Sequence, residues 1–136
     1  AGLGEPLLSK NLLPFSEAAK NLNCYASIIT NGSLVRKNIS LLKNFPKVSI
    51  SFDGACAKTF EALRHRSNFT IITQNIKYLR QQAPEITIAF SVVASRANID
   101  EIAGILELAE KLGVNEVNLT PMEHIAFLSL KKSDLP

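Results

Sequence analysis

The sequence predicts an α/β fold built on a mostly parallel sheet. Short β-branched runs alternate with segments whose apolar residues recur at helical spacing. Each intervening segment holds a helix, long enough to return the chain to the same end of the sheet, so consecutive strands run parallel. With 46% hydrophobic and 20% charged residues in 136, the chain is too apolar for disorder and fits one domain or part of a larger one.

The elements follow in order. A helix is predicted from Pro14 to Leu22, with Pro14 in the first turn, where its missing N–H costs nothing. The first strand is Ala26 to Thr30, followed by a helix over Val35 to Asn44 that Pro46 ends, because the residue before proline is driven out of helical space. Lys47 to Phe52 is the second strand, and a short helix lies near Lys58 to Leu63. Phe69, Ile72, Ile76 and Leu79 mark one face of a helix closed by Pro84, after which Ile86 to Val93 is the third strand. Ile99, Ile102, Ala103, Leu106 and Ala109 mark the last helix. Asn98 is its expected cap, Glu101 the partner in a capping box, and Gly113 the left-handed residue past its end. Glu116 to Thr120 is the fourth strand, and Met122 to Pro136 is expected to fray.

Several classes of function are disfavoured. Cys24 and Cys56 stand 32 residues apart with no CxxC or Cys/His spacing, which points to free thiols rather than zinc. The charge of +3 is small, and Arg64-His65-Arg66 has no interleaved aromatics, so no nucleic-acid partner is expected. No apolar run approaches the ~20 residues that span a bilayer, and no export signal is evident. The chain is therefore expected to be cytoplasmic, with no membrane partner. Its opening on Ala1-Gly2-Leu3-Gly4 suggests a piece of a longer protein. His65 and His124 lack partners at catalytic spacing, and Asp53-Gly54 has the composition of a turn.

In parallel α/β folds the ligand lies at the carboxyl ends of the strands, where loops and helix N-termini converge. Here those ends are Gly4-Glu5-Pro6, Thr30-Asn31-Gly32, Ser51-Phe52-Asp53-Gly54, Ser95-Arg96-Ala97-Asn98 and Thr120-Pro121-Met122, all polar. A dinucleotide fingerprint beginning at Gly2 fails, since Leu7 stands where the third glycine belongs and Pro6 disfavours an immediate helix. Gly4 instead lets backbone approach a small zwitterion, and Glu5 accepts from an ammonium group. Thr30 and Ser51 suit ribose hydroxyls or a carboxylate.

The succession Gly2-Leu3-Gly4-Glu5-Pro6, Thr30-Asn31-Gly32, Val48 to Gly54, Leu63-Arg64, Val92-Val93 and Arg96 to Ile102 resembles the radical S-adenosylmethionine enzymes. It is most similar to the branch with an extra C-terminal cluster domain, which includes peptide-modifying maturases. The resemblance implies a partial (β/α)6 barrel, a curved sheet with helices on its outer face. Residues 1–136 would be its middle, lacking the N-terminal cluster-binding segment. The family's CxxxCxxC motif is absent here, and Leu3 replaces a glycine of the commonest Gly-Gly-Glu-Pro form.

By that resemblance the complete enzyme uses a [4Fe-4S] cluster to cleave S-adenosylmethionine to a 5′-deoxyadenosyl radical that takes hydrogen from substrate. The substrate is not readable from this chain, being fixed by loops and C-terminal parts outside it; the branch resembled mildly favours a peptide or protein. Gly4 and Glu5 would contact the methionine amino group, while Thr30, Ser51 and Ser91 would contact carboxylate and ribose. Asn31 shares their rim, and Arg96 would pair with the carboxylate as a fork donor. With two cysteines, this chain alone is expected neither to hold the cluster nor to cleave the cofactor. Open sheet edges add a homodimer to the expected partners. The rivals are an aldolase-like barrel, disfavoured because no strand ends in the required lysine and Lys47 opens one, and a degenerate barrel binding a nucleotide-like ligand or a partner without turnover.

Overall fold

The computed structural model describes residues 4–122. Four strands form one sheet in the order β1-β2-β3-β4: β1 Ser27–Thr30, β2 Lys47–Ser51, β3 Thr87–Ala94 and β4 Glu116–Pro121. All three pairings are parallel, with Ile28 beside Val48, Val48 beside Ile88, and Phe90 beside Val117. Strand order thus follows chain order without reversal. Right-handed crossovers then place the helices that join successive strands on the same face, the arrangement of a barrel wall rather than of a doubly wound sheet.

Side-chain alternation sorts the two faces. Ile28, Val48, Ile50, Phe52, Ile88, Phe90 and Val92 point toward the helices and are all buried. Phe52 stacks on Phe90 with centroids 4.3 Å apart and also meets Phe60 and Phe69 on the helices above, at 4.8 and 5.7 Å. Offset aromatic pairs of this kind contribute about 0.5–1.5 kcal/mol each beyond their burial. The opposite face carries Ser27, Ile29, Ser49, Ser51, Ala89, Ser91 and Asn118, mostly small or polar. Lys47 and Glu116 form an ion pair across it, from β2 to β4.

The helices supply the rest of the core. α1 is Leu12–Asn21, α2 Ile39–Leu42, α3 Ala57–Leu63, α4 Phe69–Gln82 and α5 Ile102–Leu112. In α4, Ile72, Ile76 and Leu79 recur at the spacing of one face and are buried, and Asn68 caps it by accepting from the Ile71 N–H at 2.9 Å. Ile105, Ala109 and Leu112 do the same for α5, which Gly113 ends in left-handed conformation at φ +71°.

Three expectations need correction. The helix expected over 35–44 is a 3₁₀ turn, Arg36–Asn38, followed by the single-turn α2, because Asn38 adopts φ −118° and breaks the run. The expected capping box at Asn98 and Glu101 does not form. Asn98 turns its amide toward the strands, Glu101 reaches across to the loop after β2, and a 3₁₀ turn over Ile99–Glu101 leads into α5. The helix expected from Pro14 begins at Leu12, which still leaves Pro14 in the first turn. Of the fraying expected from Met122 to Pro136, only Met122 falls among the described residues, and its N–H donates to Ala94 O at 2.9 Å.

Asp53-Gly54 is not a simple turn either. Gly54 has no left-handed φ; what requires glycine is close approach, since a Cβ there would sit 2.5 Å from Phe60 N and 2.9 Å from its Cα. Because the obstruction is helical backbone, Gly54→Ala is expected to destabilise the chain by about 1–3 kcal/mol in urea unfolding, as overpacked sites do. An unchanged midpoint would show that α3 shifts freely.

Candidate cofactor site at the strand ends

The site begins with Glu5. Its backbone is extended, and its carboxylate caps the 3₁₀ turn Pro6–Leu8 by accepting from Leu7 N at 3.1 Å. The same Oε1 accepts from Thr30 Oγ1 at 2.6 Å, and Oε2 accepts from Asn31 N at 2.8 Å. Glu5 therefore fastens the N-terminal segment to the end of β1. A carboxylate has roughly four acceptor positions; three are taken, leaving one on Oε2 for a ligand donor.

Thr30 is buried on the helix-facing side of β1, where its hydroxyl donates to Glu5 and accepts from Gly32 N at 3.2 Å. Its oxygen is thus committed within the protein. Asn31 forms a local turn, with Oδ1 accepting from Ser33 N at 2.8 Å. Ser51 lies on the opposite sheet face in register with Ser91 of β3, and Asn118 of β4 continues the same row.

A cavity of about 660 Å³ runs along the free edge of β1 and over the strand ends. Gly4, Glu5, Thr30, Asn31 and Ser51 line it, together with Arg64 and the apolar Leu12, Phe15 and Phe45. Five of the seven residues predicted for the cofactor therefore share one cavity. Ser91 and Arg96 do not line it: Ser91 sits one strand further along, and Arg96 is exposed past the end of β3. Thr120 on β4 is likewise exposed and outside the lining.

Arg64 belongs to the basic cluster that the sequence leaves as either a solvated loop or a substrate-facing rim. One guanidinium nitrogen pairs with Asp53 Oδ2 at 2.7 Å, and Nε is buried with no hydrogen-bond partner among the described residues. A buried, unpaired charged donor is costly and calls for a partner. Asp53 is itself buried, and its Oδ1 accepts from Val93 N at 2.7 Å. Asn98 completes the arrangement by donating Nδ2 to Asp53 O at 2.9 Å and Val93 O at 3.0 Å, while its Oδ1 accepts from Ser95 N at 2.8 Å. Glu101 accepts from Ala55 N at 2.7 Å and from the Thr59 hydroxyl. In the sequence, two signals point to Arg64: the Leu63-Arg64 step of the resemblance and its place directly after a helix that follows a strand end.

Among the described residues no three His, Cys, Asp or Glu side chains gather to hold a metal ion. Cys24, before β1, and Cys56, after β2, are both exposed and free. No helix among these residues is long and apolar enough to cross a membrane.

No protein-family profile matches the chain. It is 26% identical over 136 residues to a probable GTP 3′,8-cyclase of Saccharolobus islandicus, covering 96% of this chain and 44% of the relative. It is 29% identical over 111 residues to the GTP 3′,8-cyclase of Synechocystis, covering 79% and 34%. The chain thus spans less than half the length of these relatives. Among solved structures, TYW1 with a lysine-pyruvate adduct bound superposes with a TM-score of 0.71 at 19% identity, over 98% of this chain and 43% of that one. An archaeal TYW1 gives 0.67 at 17%, over 89% and 41%. These likenesses support the resemblance of the chain to the radical S-adenosylmethionine superfamily and share its parallel β/α fold.

Proposed function

We propose that residues 1–136 are the central wall of a radical S-adenosylmethionine enzyme and carry part of its cofactor site, the cluster ligands lying elsewhere in a longer protein. The observation that carries this is the cavity that Gly4, Glu5, Thr30, Asn31 and Ser51 line together with Arg64, whose Nε has no partner among the described residues. Its volume exceeds that of a nucleoside-sized ligand, and its lining offers the two charges that a zwitterion needs. The free acceptor position of Glu5 suits the methionine ammonium, and Arg64 Nε suits the carboxylate. Ser51 is free to meet a ribose hydroxyl, and Leu12, Phe15 and Phe45 offer apolar contact. Arg64 takes the anion-binding role first given to Arg96, because Arg64 is at the cavity and half-buried. Thr30 acts through Glu5, by holding its carboxylate in place.

The cluster would supply the electron that cleaves the bound cofactor. This chain's residues bind and orient the cofactor and keep water from its charged end. For the substrate, the resemblance to maturases favours a peptide or protein, whereas the similarity to GTP 3′,8-cyclases makes a nucleotide the competing class.

The upstream coding sequence tests the assignment, with three cysteines in CxxxCxxC spacing expected before Ala1. Anaerobic iron and sulfide reconstitution of the 136-residue chain is expected to give no stoichiometric cluster and no 5′-deoxyadenosine; both should appear once the upstream segment is included. A longer protein lacking the three cysteines would sink the proposal. Without a cluster to chelate it, S-adenosylmethionine should bind this chain weakly, around millimolar, since a few hydrogen bonds must offset the lost freedom of the ligand.

The role of Arg64 is tested by Arg64→Lys, which keeps a charge for Asp53 but removes the buried Nε. Calorimetric titration of the cluster-loaded longer protein should show cofactor affinity reduced by about 1.5–3 kcal/mol, the range for a hydrogen bond to a charged group. Unchanged affinity would place the carboxylate elsewhere.

A further inference from the structure

Asn75, in the middle of α4, is 3% exposed and spends its side chain on another part of the molecule. Its Nδ2 donates to Gly32 O at 2.9 Å and to Ser33 O at 3.4 Å, and its Oδ1 accepts from Arg36 Nε at 3.0 Å. Arg36 is in turn held over the ring of Tyr78, one helical turn from Asn75, at 4.6 Å. The loop after β1 is therefore pinned from both sides. Glu5 holds Asn31 N from the cavity side, and Asn75 holds the next two carbonyls from the helix side.

Between those pins the backbone has little freedom. Gly32 sits at φ +81°, and a Cβ there would come within 3.2 Å of Ile50 and 3.3 Å of Ile72. The turn made by Asn31 Oδ1 to Ser33 N fixes which end of the Asn31 carboxamide faces away from the loop: its Nδ2 group. Asn31 lines the cavity, and Asn75 does not.

We propose that Asn75, oriented by Arg36, is a positioning residue that holds loop 31–33 so that Asn31 Nδ2 donates to the ligand of the Glu5–Arg64 cavity. The ligand rests on the cofactor assignment above; the hydrogen-bonded chain Arg36 to Asn75 to Gly32 does not. A side chain with a purely structural role would alter stability and leave the affinity of the folded protein unchanged. A positioning residue alters affinity, and does so only while Asn31 is present.

A double-mutant cycle separates the two cases. S-adenosylmethionine is titrated into the ¹⁵N-labelled chain, and affinity is read from amide shifts, with thermal unfolding of each variant alongside. Asn31→Ala and Asn75→Asp should each weaken binding about tenfold, and the double variant should be no weaker than Asn31→Ala alone. Arg36→Met, a change at an exposed residue, should weaken binding about threefold while moving the unfolding midpoint by no more than about 2 °C. Should Asn75→Asp fail to fold, Arg36→Met combined with Asn31→Ala closes the same cycle. Losses that add in the double variant, or Asn75→Asp and Arg36→Met variants with full affinity, overturn the proposal. A wild-type chain that shows no shift with S-adenosylmethionine overturns the cofactor assignment and the ligand named here with it.

Discussion

A carboxylate buried where two strand ends meet must be matched on every side, and the loops above this sheet are arranged around the matching of Asp53. One oxygen takes the Val93 N–H of the neighbouring strand, the other takes Arg64 from the end of α3, and the residue's own carbonyl is held by Asn98. Three chain segments, separated by up to 45 residues, are thus fixed relative to one another by a single side chain and its amide. The energetic asymmetry of buried charge makes the arrangement obligatory. Removing one partner of such a pair leaves the other uncompensated, at about 3–5 kcal/mol where burial is complete and less where water reaches one side, as it does at Arg64. What this secures is the position of Arg64, which lines the cavity from the end of α3 rather than standing in a freely solvated loop.

The two rims of the sheet are built by the same kind of bond for different ends. At the strands' N-terminal end, Arg80 donates to Gly113 O, Pro84 O and Ile86 O at 2.9–3.1 Å and to Asn115 Oδ1, which also accepts from Ile88 N. Every contact there is local to the connections of α4, β3, α5 and β4, and four of the five guanidinium N–H groups are spent within the protein. At the carboxyl end, the side chains from Glu5, Asn75, Asn98 and Glu101 each reach into a loop belonging to a neighbouring β/α unit. Loops held by a neighbour's side chain cannot drift independently. This is the physical content of the rule that ligands bind at the carboxyl ends of parallel strands.

Which features were legible in the sequence follows from how local their causes are. The strands were readable because Val48, Ile50 and Phe52, and Ile88, Phe90 and Val92, alternate with small or polar residues that face away from the helices. Glu5, Thr30, Asn31 and Ser51 could be expected to lie together, as they do around one cavity, because a parallel sheet must bring its carboxyl ends to one rim, whatever the packing around them. The misreadings were polar residues with a local use and a distant alternative. Asn98 and Glu101 have the spacing of a capping box, yet the bonds they make are to Asp53 O and Ala55 N, over 40 residues away. Asp53-Gly54 looks like a turn, but Asp53 is an ion-pair partner and Gly54 a contact surface for α3. Within Arg64-His65-Arg66 itself, nothing distinguishes the one arginine that turns inward.

The face turned away from the helices has its own logic. Across β2, β3 and β4, Ser51, Ser91 and Asn118 form one row and Ser49, Ala89 and Glu116 another, so the bulk of the side chains falls toward the ends of the strands rather than their middle. Lys47 and Glu116 meet across β3, whose alanine in this row is too short to obstruct them. Neighbouring strands lie about 4.8 Å apart, so an ion pair joining the first and third of three strands bridges nearly twice that spacing. Such a pair is favoured where the sheet bends toward its own side, as it must in a barrel wall. The small residues of this face and the charge bridge at its foot therefore serve one end: they keep bulk away from Ser51, which lines the cavity at the level of the rim that carries Glu5 and Arg64.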